Sequence, residues 1–282
     1  MLCLALCASC ATTADKPSGK HAGAAARAAS PSAKSAMPLT GTSTLAKVDA
    51  GKVLRVGVSI NAPWVMHDKN GELFGYSIDL ARKIAEDMGW QVEFVTTSWP
   101  GLLYDLRTNQ FDVVVSGLSI TPQRALLARF SQPYGEYGIA VVMNRSRYPK
   151  GGTRELAAAS GKRIAAHKGT LTADIVRSRL PRAEIVEIDD EEQAIEDLRN
   201  GKVDGYAAEE PTPLLLEKIY PKQLRALSGD PLARTAHGLA VRLDDRDLLD
   251  VLNAWIVDSK ASGWLDARER YWFATTDWAS QL

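Results

Sequence analysis

Phe111-Asp112-Val113-Val114-Val115, followed by Ser116-Gly117-Leu118-Ser119-Ile120-Thr121-Pro122-Gln123-Arg124, is the stretch on which the reading of this chain turns. Its first five residues form a nearly continuous apolar run, broken by one Asp. That pattern belongs to a strand buried on both faces, as in sheets covered by helices. The second part reads as a strand end turning into a helix, because Thr121 is a good N-cap and Pro122 a good first helical residue. Upstream, 102–106 has helical spacing and 92–95 is β-rich. Further upstream, 78–88 sets Ile78, Leu80, Ala81, Ile84, Ala85 and Met88 largely on one stripe, Gly89 closes it, and 53–58 reads as strand. Strand and helix thus alternate, which implies α/β architecture with parallel strands.

A second cycle follows: strand 163–166, helix 171–180, strand 185–188, helix 191–200, strand 203–208. Asn109-Gln110-Phe111-Asp112 and Asn200-Gly201-Lys202-Val203-Asp204 each end a helix and open a short strand with an Asp. Two similar sheets are expected rather than one long one. The apolar stretches 137–143 and 238–241 flank the second cycle and are expected to cross between lobes, and 247–261 onward reads as helix returning to the first. The expected fold is therefore α/β and two-lobed, each lobe a mostly parallel sheet flanked by helices, with two crossing strands at the hinge. Lobe one takes 53–143 plus 237–282, and lobe two is the insertion 144–236. Ligands of α/β lobes sit beyond the carboxyl ends of the strands, so the site is expected in the cleft between lobes.

Composition narrows the function. At 282 residues and 45% hydrophobic, the chain can bury a core without disulfides or metals. Its 34 basic and 34 acidic residues cancel, which argues against a nucleic-acid binder. Cysteine occurs only as Cys3, Cys7 and Cys10, so the rest of the chain has no disulfide framework, cysteine zinc site or cysteine nucleophile. GxGxxG, P-loop and HExxH motifs are absent, and His21, His67, His167 and His237 are far apart in sequence. No metal and no cofactor are expected. Residues 1–10 are apolar but too short to span a bilayer. They resemble the back end of a secretory signal, the other reading being a disordered cytosolic leader. Ala8-Ser9-Cys10 is similar to a lipoprotein processing box in which Cys10 is lipidated, although Cys7 stands where that pattern has Leu. Residues 11–50, rich in small and polar types, read as a flexible linker. The folded body is expected to begin near Val53, and cysteine avoidance suits an oxidising compartment, here the periplasm or cell surface.

Gly75-Tyr76-Ser77-Ile78-Asp79-Leu80, the 111–124 run, and Phe130-Ser131-Gln132-Pro133-Tyr134 together resemble the extracellular solute-binding protein family 3, the polar amino-acid receptors of ABC importers. The resemblance covers about 53–273 and departs at Ser77, where the family favours an acidic residue. It implies a periplasmic-binding-protein fold that captures an amino acid or similar small carboxylate by hinge closure and delivers it to an ABC importer. A monomer is expected.

From the residues alone, Arg124 is either a surface residue on a capped helix or an anion clamp. Helix starts attract anions, and guanidinium grips carboxylate through two parallel bonds. The resemblance implies the clamp, with Ser119 and the Gly117 backbone beside it. His167-Lys168-Gly169-Thr170-Leu171-Thr172 is a strand-to-helix turn in which Thr170 is a cap. The family pattern implies that Thr170 completes the carboxylate cradle. Glu209, in Asp204-Gly205-Tyr206-Ala207-Ala208-Glu209, stands where the family has Asp and is the implied acceptor for a ligand ammonium. Glu210 is the alternative, although neighbouring strand side chains point to opposite faces. Trp64, after Asn61-Ala62-Pro63, and Trp99, in Thr97-Ser98-Trp99-Pro100, are implied pocket walls or else core residues. Trp255, Trp264, Trp272 and Trp278 read as packing. Residues 97–100 and 116–121 are also similar to periplasmic cyclohexadienyl dehydratases, which act on prephenate or arogenate and share the fold. Glu209 or Glu210 could serve as the general acid such enzymes need, but their acidic residue falls nearer Thr212, and Thr cannot do that job. A binding protein rather than an enzyme is therefore expected.

Overall fold

Val53–Val58 is the strand from which the first sheet grows. It pairs in parallel with Gln91–Thr96 on one side and Val113–Val114 on the other. Ala240–Val241 and Arg129–Phe130 extend that sheet antiparallel. The two strands at its centre carry the apolar side chains that fill the core: Leu54, Val56, Val58, Val113 and Val114 are all fully buried. The helix Tyr76–Met88 lays Ile78, Leu80, Ala81, Ile84 and Ala85 into the same core. It ends at Gly89, whose φ of 69° is the left-handed conformation that closes a helix.

The second sheet has its own parallel core, Gly205–Glu209 beside Arg163–His167 beside Glu184–Ile188. The long strand Gly135–Asn144 completes it, running antiparallel to Gly205–Glu209, Leu224–Ala226 and Ala233–His237. Both expected sheets are therefore present, as a two-lobed α/β fold. The computed structural model describes residues 42–281. The signal-like segment with Cys10, and the linker as far as residue 41, lie outside the described residues. No helix among the described residues is long and apolar enough to cross a membrane.

Two boundaries differ from expectation. The apolar stretch 137–143 does not cross between lobes, because the whole of Gly135–Asn144 belongs to the second sheet and pairs there with three strands. The crossings are residues 131–134 and 238–239, and they are bonded to each other. Ser131 N donates to Leu239 O at 2.8 Å, Leu239 N to Ser131 Oγ at 2.9 Å, and Tyr134 N to His237 O at 3.0 Å. By sheet membership the second lobe thus opens at Gly135 rather than at Asn144.

The folded body also starts before Val53. Thr44–Gly51 is a helix whose N-cap, Ser43, accepts from Ala46 N. Leu45 and Val48 are buried in the first lobe's core, and Asp49 accepts a hydrogen bond from Trp90 Nε1 at 3.2 Å. Averaged over forty residues, the small polar composition hid one apolar pair at helical spacing. Leu45→Ala is expected to lower stability by about 2–5 kcal/mol, as a buried leucine truncation does. Urea denaturation would read this as a lower midpoint at unchanged slope, whereas a linker residue would give no change.

Candidate functional site

Trp64 is seated by two glycines. A Cβ on Gly75, at φ 140°, would lie 2.2 Å from Trp64 O, and one on Gly117, at φ 65°, would lie 2.9 Å from Trp64 Cδ1. No L side chain fits either place. The indole is 1% exposed, yet it also lines the cavity between the lobes, so core residue and pocket wall are one and the same. Gly117 is not among the cavity-lining residues. The space its missing side chain leaves is taken by the Trp64 ring.

That cavity, about 40 Å³, is walled by Trp64, Trp99 and Ser119 from the first lobe and by Thr170, Tyr206 and Glu209 from the second. It has room for only a few water molecules, because the lobes touch. Ser119 Oγ donates to Glu209 Oε1 at 3.2 Å, and Thr212 Oγ1 donates to Ala62 O at 3.2 Å. Thr170 donates its hydroxyl to His167 O at 2.6 Å and accepts from Ala173 N, capping its helix while facing the cavity.

Arg124 sits on the far side of Trp99. Thr121 caps its single helical turn, accepting from Arg124 N at 3.2 Å. The guanidinium donates through Nη1 to Ser119 O at 2.9 Å, and its carbon lies 5.9 Å from the centre of the Trp99 ring. It lines a second cavity of about 320 Å³, together with Trp99 and Pro100 from the first lobe and Gly169 from the second. Arg124 therefore faces an interlobe groove, and Trp99 borders both cavities. Burial pulls the guanidinium pKa down, while the negative charges of Glu209 and Asp174 pull it up.

Glu209 is held in the cleft by three donors on one oxygen. Its Oε1 accepts from His237 Nε2 at 2.9 Å, from Ser119 Oγ at 3.2 Å and from Thr235 Oγ1 at 3.3 Å. Glu210 is turned the other way, its Oε2 accepting from Gly138 N at 3.2 Å. Thr235 and His237 were not singled out from the sequence. Their i, i+2 spacing on one strand was a usable signal of a shared face, but nothing in it named Glu209 as the partner.

Residues 54–275 match the sequence model of the bacterial extracellular solute-binding proteins, family 3. The chain belongs to this family. It is 28% identical over 230 residues to ABC transporter arginine-binding protein 1 of Escherichia coli, covering 79% of this chain and 92% of the relative. It is 25% identical over 234 residues to cyclohexadienyl dehydratase of Pseudomonas aeruginosa, covering 82% and 86%. A crystal structure of the ancestral amino acid-binding protein AncCDT-1, a precursor of cyclohexadienyl dehydratase, superposes with a TM-score of 0.73 at 30% identity, over 82% of this chain and all of that one.

Within this family 3 protein, one further acid stands behind the cleft. Tyr206 OH donates to Glu191 Oε1 at 2.8 Å. Burial pushes the Glu191 carboxyl up from its ordinary 4.5, and Tyr206, the His167 ring and the Ala62 amide pull it partly back. A carboxyl raised on folding contributes stability that is complete below the unfolded value and is lost as pH rises through the folded one. Stability is therefore expected to fall from about pH 4.5 upward across the raised folded value. Glu191→Gln should flatten that decline, which urea midpoints measured at a series of pH values would show.

Proposed function

We propose that this family 3 protein closes around an α-amino acid or close relative and hands it to an ABC importer. Arg124 takes the α-carboxylate, assisted by Ser119 and by Thr170 at the start of its helix. Glu209 takes the ammonium through Oε2, the oxygen with no hydrogen-bond partner among the described residues. Trp99 and Trp64 wall the ligand. The observation that carries this reading is that Ser119 joins the two charges across the lobes, its carbonyl accepting from Arg124 at 2.9 Å and its hydroxyl donating to Glu209 at 3.2 Å. Closure of a hinge on a ligand that bridges both charges is a familiar device. Charge-assisted bonds in a desolvated cleft support micromolar or tighter binding. L-arginine is the first ligand to try, since a relative is named for binding it.

A second reading, a cyclohexadienyl dehydratase, has one observation in its favour. Glu191 is a carboxyl whose pKa burial raises, as a general acid in a closed cleft requires. Against it stands Thr212, whose hydroxyl is bonded to Ala62 O and which occupies the place where the resemblance puts the enzymes' acid. Incubation with prephenate is expected to yield no phenylpyruvate, and steady turnover would favour the enzyme.

Cys10 is proposed as a lipid anchor for the exported protein. Metabolic labelling with an alkyne fatty acid is expected to mark the wild type and not Cys10→Ser, and equal labelling of both would refute the anchor. Arg124→Ala is expected to weaken ligand binding by about 2–5 kcal/mol, because it strands a desolvated carboxylate. Isothermal titration calorimetry against the amino acid that gives the largest thermal shift would measure this, and unchanged affinity would remove Arg124 from the site.

A further inference from the structure

His237 is fully buried, its side chain showing no exposed surface, and it lies next to the candidate site without lining the cavity. Its ring packs 4.6 Å from Tyr137 and 5.9 Å from Trp64, centroid to centroid. One ring nitrogen, Nε2, points at Glu209 Oε1, and the other, Nδ1, is buried with no partner among the described residues. A carboxylate oxygen accepts and does not donate, so a 2.9 Å contact requires the ring proton to be on Nε2.

The strand register places this contact within one sheet. Glu209 pairs with Ile139, and the same strand pairs Ala233 with Ile139, Thr235 with Tyr137 and His237 with Gly135. Glu209, Thr235 and His237 therefore belong to one sheet and travel together. Ser119, the third donor to Oε1, comes from the other lobe, where it forms a bridge with His237 at the crossing. The His237 and Thr235 bonds to Glu209 lie within the second sheet, whereas the Ser119 bond comes from a segment outside it that is tied to residues 236–238 at the crossing. A glutamate has one more rotatable bond than an aspartate, and that freedom opposes binding unless something fixes it.

We infer that His237 is a positioning residue which, through Nε2–H on Oε1, holds the Glu209 carboxylate in its binding rotamer before the ligand arrives and turns Oε2 toward the ligand's ammonium. This rests on the proposed role of Glu209. The long acid at this position and the histidine at the hinge then act as one unit, and the recognised group is a protonated amine, met by one carboxylate oxygen rather than two.

Two measurements test it. In the first, L-arginine and its desamino analogue 5-guanidinopentanoate are titrated by calorimetry into wild type, His237→Phe and His237→Gln. Phe keeps the ring volume and removes the donor, and Gln restores an N–H donor at nearly the same reach. His237→Phe is expected to weaken L-arginine by roughly tenfold or more, the usual loss for a hydrogen bond to a charged group. It should leave the desamino analogue nearly unchanged, and Gln should recover most of the loss. Equal weakening of both ligands by Phe, or no weakening of either, would overturn the inference. If wild type bound the desamino analogue as tightly as L-arginine, the ammonium role of Glu209 would fail instead, a distinct outcome. The second measurement needs no ligand. The imidazole ¹⁵N spectrum of the free protein, with the His237 signals assigned by their loss in His237→Gln, is expected to show protonated Nε2 in slow exchange, shifted by Glu209→Ala. A ring protonated only on Nδ1, or a spectrum indifferent to Glu209→Ala, would refute the pair even if neither probe bound.

Discussion

A carboxylate at the seam between two sheets is the constraint around which this molecule is arranged. Glu209 lies in a cleft where water is scarce, and an uncompensated charge there would cost several kcal/mol. The fold answers with three donors on one oxygen, from His237, Thr235 and Ser119. All three stand at or beside the hinge, because the strand carrying Thr235 and His237 runs directly into the crossing. The anion is therefore held where the two lobes meet, and a group bound there is sensitive to their relative position.

Around that anchor the remaining features fall into place. The crossings are bonded to each other through Ser131, Tyr134, His237 and Leu239, so the lobes are joined by two short tied segments. Two glycines with positive φ let Trp64 lie flat against the first lobe, where it is both core and wall. Arg124 reaches the groove because Thr121 and Pro122 start a helical turn just past the strand end, and Trp99 stands between its cavity and that of Glu209. Under the proposed roles, a ligand that bridges Arg124 and Glu209 favours the closed form by as much as its affinities for the two forms differ.

Much of this was legible in the chain. The apolar run 111–115 and the turn at Thr121-Pro122 specified a buried strand and the helix start after it, and the two Asn-to-Asp junctions announced two sheets. What escaped was set by partners distant in sequence. The stretch 137–143 is apolar enough to cross or to stay, and only pairing with three strands decides that it stays. The helix Thr44–Gly51 depends on tertiary contacts of Leu45, Val48 and Asp49, which outweigh a linker-like composition. Nothing in the sequence showed that Trp64 occupies the side of Gly117 where a side chain would lie. For His237 the spacing from Thr235 marked a shared face, but its partner Glu209 is 28 residues away and nothing local named it.

The most direct test is a diffraction structure of the protein with its tightest-binding amino acid. The account predicts the ligand's carboxylate within hydrogen-bond distance of the Arg124 guanidinium and its amine on Glu209 Oε2, with Oε1 still on His237. A carboxylate lying away from Arg124, or an amine bound by any group other than Glu209, would contradict it.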